Sequence, residues 1–153
     1  MDAMGLDVIL ASLHHLAAFS LVGLLAVEAA LLFRPDKSVP VARMARIDLY
    51  FGLAALLLLV IGVLRVIYGI KGSAFYVQNP VFWTKMVLFG TVGIISIWPT
   101  VQYLRWQSKL RRDTGFWPDA AAFRWVRLAL VAEIAFTVAI PVTAAMMARG
   151  IGL

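Results

Sequence analysis

Adjacent histidines His14 and His15, the arginine Arg65 and the lysine Lys85 stand inside otherwise apolar stretches of this chain. Imidazole beside fixed cations suits a short set of chemistries: axial ligation of a haem iron, a metal site, contact with an anionic group, or proton handling. Glu28, Asp48 and Glu133 add carboxyls in similar surroundings. A charge among apolar residues of this kind is costly, so each one needs a partner or a purpose. Each also has a structural reading. A histidine can hydrogen-bond a neighbouring helix, and an arginine or lysine can snorkel to an interface. Glu28 is expected to pair with Arg43, Arg46 or Arg127, and Asp48 to cap a helix start, where acids are favoured. Glu133 has no evident basic partner, which leaves a protonated acid or a proton relay open.

The elements that must position these groups are readable. The 153 residues are 63% hydrophobic and only 14% charged, and mean hydropathy is +0.91. Soluble domains carry about a quarter charged residues, so this composition belongs in lipid. Four apolar spans follow, at roughly 8–33, 47–70, 81–104 and 123–148. Each exceeds the ~20 residues that a bilayer helix needs. The expectation is an all-α, integral membrane four-helix bundle, up-down-up-down, forming a single domain over 1–153. Asp2 and Asp7 precede the first span without any Lys or Arg. A cleaved signal peptide starts positively charged, so the first span is expected to be retained. The connectors RPDKSVP, KGSAFYVQNP and KLRRDTGFWPDA read as turns, punctuated by Pro, Gly, Asn and Asp. There is no cysteine. That excludes disulfide scaffolds, thiolate metal sites and cysteine nucleophiles.

Charge placement predicts orientation. The net charge of +6 comes from 14 Lys and Arg against 8 Asp and Glu. Arg34, Lys37, Arg43 and Arg46 surround the first connector; Arg105, Lys109, Arg111, Arg112, Arg124 and Arg127 surround the third; the second holds only Lys71. Lys/Arg-rich loops stay in the cytoplasm. Both termini are therefore expected on the outer side of a bacterial inner (cytoplasmic) membrane. The basic residues serve topology, and no nucleic-acid partner is expected. Phe75, Tyr76, Phe82 and Trp83 are expected to mark the outer interface; Trp98, Tyr103, Trp106, Trp117 and Trp125 the inner one.

In this frame His14, His15, Arg65 and Lys85 reach a similar depth near the outer face from three different spans. His14, Leu21 and Glu28 are spaced by sevens and share one helix stripe. His15 points ~100° away from His14, so the two imidazoles cannot both face one ligand squarely. Met4, Met146 and Met147 fall on the same side, and thioethers with imidazole suit Cu(I). Such terminal methionines also serve as packing. Gly52, Ala55 and Gly62, and then Gly90, Gly93 and Ser96, are expected to line helix contacts. Pro99 and Pro141 are candidate kinks. No phosphate loop, nucleophile elbow or paired-carboxylate metal signature occurs.

The runs LHHLAAFSLVGLLAVEAALLF, DLYFGLAALLLLVIGVLRVIYGIKGSAFYVQNPVFWTKMVLFG and SIWPTVQYLRW resemble an uncharacterised family of predicted bacterial membrane proteins, over nearly the whole chain. A histidine early in the first span and a lysine just inside the third, within FWTKMVLFG, also look like the four-helix bacterial protoporphyrinogen oxidase and the copper-resistance D-type membrane proteins. That more distant likeness implies haem binding at His14 or His15 and a site role for Lys85. The chain departs from it in lacking a histidine in any later span.

Two functional classes remain. One is a non-enzymatic bundle: an oligomeric scaffold, small channel or accessory subunit, with a homo-oligomeric or other membrane partner. The other is a membrane oxidoreductase binding haem b or another tetrapyrrole between spans one to three near the outer face. There His14 or His15 would ligate iron, and Arg65 and Lys85 would meet propionates. Copper at His14 or His15 is the further metal option. Orientation is checked by reporter fusions: those at Ser38 and Gly115 should read cytoplasmic, and one after Leu153 extracytoplasmic. A cytoplasmic carboxyl end would reverse it.

Overall fold

The computed structural model describes residues 2–33 and 41–152. All regular structure among them is helical: α1 (Ala3–Leu32), α2 (Val41–Tyr68), α3 (Gly72–Val77), α4 (Pro80–Arg112) and α5 (Ala120–Ala148). The four long helices are each apolar and long enough to cross a membrane. The first connector, at 34–40, lies outside the described residues. α1 packs along α2, and α4 along α5; α2 meets α4 less closely, and α1 meets α5 least. The result is a closed ring of antiparallel helices, with α1 diagonal to α4.

Local chemistry fixes the helix ends. Asp2 caps α1 by accepting from the Gly5 N–H, and Asp119 caps α5 by accepting from the Ala122 N–H. Such side chains satisfy donors that a helix start leaves free. Asn79 does the same for α4, accepting from Val81 N at 2.8 Å while its Nδ2 donates to Ile151 O at 3.3 Å. Ile70 N donates to Asp7 Oδ1 at 3.4 Å. These contacts gather the amino end, the α2–α4 connector and the carboxyl end at one end of the bundle, called here the termini end. The opposite, basic end holds Lys109, Arg111 and Arg112 in the last turn of α4, where cations meet the free carbonyls of the helix.

Several expectations need correction. α2 begins at Val41, and α4 runs on to Arg112. Amphipathic turns extend these helices beyond the apolar runs, which are all that hydropathy detects. The second connector contains a short helix, α3, because Tyr76 buries its ring against Phe82. Tyr103 and Trp106 are buried, in an aromatic cluster with Phe123, as Tyr76 and Phe82 are at the other end, so these rings pack inside the bundle. Trp83, Trp98 and Trp125 are exposed. The small residues also divide. A Cβ added at Gly52, Gly90 or Gly93 meets nothing within 4 Å, so these glycines do not admit a neighbouring helix within this chain. Gly62 does serve as a contact, because its missing side chain lies 3.5 Å from His14 Cε1. At Gly69 an added Cβ collides with the Arg65 carbonyl oxygen and crowds Asp7. Gly69→Ala should therefore lower the thermal midpoint by several degrees, while Gly52→Ala leaves it level or raises it. Thermal unfolding of both variants in one detergent checks this. An unaffected Gly69→Ala would contradict the packing at the end of α2.

Candidate functional site

The interior polar groups separate by depth. In the half nearer the termini end, a cavity of about 210 Å³ is lined by His14 from α1, Arg65 from α2 and Lys85 from α4. The rest of its wall is mostly apolar, including Tyr76, Phe82, Met86 and Ile140, and no carboxylate among the described residues lines it. His14 is placed there by the buried stripe of α1, which includes Leu10, Ala17, Leu21, Leu25 and Glu28. Gly62 opposite makes room for the imidazole. Arg65 lies in the last turn of α2. Lys85 lies about one and a half turns into α4, its Nζ 5.6 Å from the centre of the Phe82 ring. His14 Nδ1 and Arg65 Nε are buried without a hydrogen-bond partner among the described residues. Leu59, Val63 and Ile67 also border the cavity and are themselves exposed, so it opens sideways toward lipid along α2.

The other half of the bundle holds the acids. Tyr103 of α4 donates to Glu28 Oε1 of α1 at 2.8 Å, a bond that crosses the ring diagonally and so lies on the bundle axis. Thr100, one turn before Tyr103 on the same face of α4, contacts Asp48 Oδ1 of α2 at 2.9 Å. Glu133 of α5 is 1% exposed, and its Oε1 has no partner among the described residues. Arg127 of α5 donates to the Leu32 carbonyl at 2.9 Å, which ties the basic ends of α5 and α1 together.

A family model described as "Predicted membrane protein (DUF2214)" matches residues 6–152. The chain belongs to this family. No curated protein and no solved structure matches it. The family match accords with the resemblance drawn from the long apolar runs, and nothing in these comparisons supports the likeness to the protoporphyrinogen oxidase or the copper-resistance proteins.

The structure brings His14, Arg65 and Lys85 to one cavity and leaves His15 out. His15 is exposed, and its ring centre lies 6.3 Å from that of His14 at an interplanar angle of 76°. The two imidazoles do not converge on one ion, and no group of three or more His, Asp or Glu side chains among the described residues could hold a metal. The methionines also diverge: Met147 is buried in the cluster with Tyr76 and Phe82, while Met4 and Met146 are exposed. Glu28 does not pair with Arg43, Arg46 or Arg127. Its partner is Tyr103; Arg43 and Arg46 are exposed, and Arg127 serves a carbonyl. Asp48 does not cap a helix, because α2 starts seven residues earlier and carries the acid inward to Thr100.

Sequence reasoning misses Thr100, and it reads Tyr103 only as an interface aromatic, not as the partner of a buried acid. The signal was there: two hydroxyls three positions apart share one helix face. Tyr103→Phe leaves Glu28 without its donor in an apolar interior, a loss of about 1–3 kcal/mol. Its thermal midpoint should fall clearly, whereas Arg43→Gln and Arg46→Gln should stay close to the parent. Equal midpoints for Tyr103→Phe and the parent would remove Glu28 from the core of the account.

Proposed function

We propose that this membrane protein binds an anionic amphiphile in the cavity between α1, α2 and α4. One observation carries the reading: His14, Arg65 and Lys85, from three helices, line a mostly apolar cavity to which no carboxylate among the described residues contributes. Two cations facing one low-dielectric space repel each other unless an anion lies between them. The apolar wall suits a hydrocarbon body, and the lateral opening suits entry from the bilayer. The reading makes the protein a non-enzymatic binding or accessory component of a bacterial inner membrane, with the cavity toward the outer face.

A tetrapyrrole with acidic side chains is the second reading, favoured by the buried, unpartnered Nδ1 of His14. The residues fit such a group in part. His14 offers an imidazole ligand, Met86 a thioether on the same wall, and Arg65 and Lys85 partners for propionates. A bound haem would supply redox chemistry. The chain's own residues would orient it, exclude water and balance its carboxylates.

The test is equilibrium binding of a fluorescent long-chain fatty acid to the purified chain, with its methyl ester as the uncharged control. The acid should bind at least tenfold more tightly than the ester. Lys85→Met and Arg65→Met should each erase most of that difference, since a hydrogen bond to a charged group is worth about 1.5–3 kcal/mol. His15→Ala should leave it unchanged. Equal binding of acid and ester would defeat the reading. A stoichiometric Soret band in the gently purified protein, lost in His14→Ala, would replace it with the tetrapyrrole reading.

A further inference from the structure

We propose that Glu133 is a proton-binding site in the interior of the bundle, reached from the cavity at the termini end by way of Thr137. The inference does not depend on what the cavity binds. It begins with an imbalance. Glu28, Asp48 and Glu133 come from three helices and lie within electrostatic reach of one another and of Tyr103. No arginine or lysine is hydrogen-bonded to any of the three among the described residues. Tyr103 supplies a hydrogen to Glu28. Thr100 has a single hydroxyl hydrogen for two oxygens, Asp48 Oδ1 and Ser96 O, each at 2.9 Å. Glu133 has no donor for Oε1 among the described residues. An ionised carboxylate held in a dry interior without a partner costs several kcal/mol, and neighbouring carboxylates add repulsion. A proton on Glu133 removes both costs.

The second observation lies one turn along α5. Thr137 is 7% exposed, and its hydroxyl has no partner among the described residues. Threonines in membrane helices commonly bond back to a carbonyl of the preceding turn. Thr84, Thr91 and Thr143 do so here, and Thr137 does not. Its hydroxyl is therefore unspent, on the same helix stripe as Glu133. One turn further along that stripe, Ile140 lines the cavity. The Glu133, Thr137 and Ile140 positions thus lead from the acids to the cavity, in axial steps of about 6 Å and about 4.5 Å along the helix. In transfer, the Thr137 oxygen accepts a proton from a hydronium ion at the cavity side, which is left as water, and releases its own hydrogen toward the Glu133 carboxylate. The products are a neutral carboxylic acid and a restored hydroxyl, and one positive charge has moved inward.

Infrared spectroscopy of the full chain in lipid at neutral pH tests this. A protonated carboxylic acid has a carbonyl stretch well separated from the carboxylate bands, and it moves in D2O. The parent should show such a component. It should vanish in Glu133→Gln and persist in Glu28→Gln. After transfer to D2O the component should shift several-fold more slowly in Thr137→Val than in the parent. No component lost in Glu133→Gln, or one lost in Glu28→Gln instead, overturns the assignment to Glu133. An unchanged exchange rate in Thr137→Val overturns the route. Glu133→Met supplies the control for folding, because a neutral acid can be replaced by an apolar side chain of similar volume. If neither Glu133→Gln nor Glu133→Met assembles, the carboxyl is making a charged interaction, and the proposal fails.

Discussion

A bilayer interior offers no water to an ionisable side chain, so each such group must find its partner within the bundle or face a cavity. This constraint organises the whole interior. His14, Arg65 and Lys85 collect around a cavity in one half, while Glu28 and Asp48 meet hydroxyls in the other, where Glu133 is also buried. Opposite charges are thereby kept apart along the bundle axis. Direct neutralisation would have placed the cations beside the acids, and the structure does not do this. Charges that are not spent on one another stay available to a ligand or a proton.

The helices make that separation by their faces. α1 carries His14 and Glu28 on one buried stripe, two heptads apart, so a single helix serves both halves. α4 contributes Lys85 to the cavity and Thr100 and Tyr103 to the acids. The diagonal bond from Tyr103 to Glu28 joins helices whose backbones are not adjacent. The looser meeting of α2 with α4 leaves space for the cavity, while the tightly packed pairs α1–α2 and α4–α5 hold its walls. Gly62 is the local device that admits His14 into this arrangement.

Much of this was legible in the sequence. Apolar runs longer than a bilayer is thick dictate four membrane helices, and the hydropathy window finds their centres. It misses their ends, because the amphipathic turns at Val41 and before Arg112 carry charge. Depth could be read from the position of each residue in its span, which is why His14, Arg65 and Lys85 could be grouped. Helix rotation could not. The ~100° between His14 and His15 says that they diverge, and says nothing of which one faces inward. The partners of Glu28 and Asp48 were hidden for the same reason: they lie 75 and 52 residues away, on helices whose relative rotation only packing determines. Glycines misled because Gly52 and Gly90 look like Gly62 in sequence, and only the last has a neighbour to admit.

The central claim is that the cations of the cavity are held for an anion. An experimental structure determined in a native lipid extract, at a resolution that shows side chains, tests it most directly. The account predicts an acidic group within hydrogen-bond distance of both Arg65 and Lys85, with an apolar body lying between α2 and α4. Arg65 and Lys85 turned outward to the membrane surface, with only neutral acyl chain in the cavity, would contradict it.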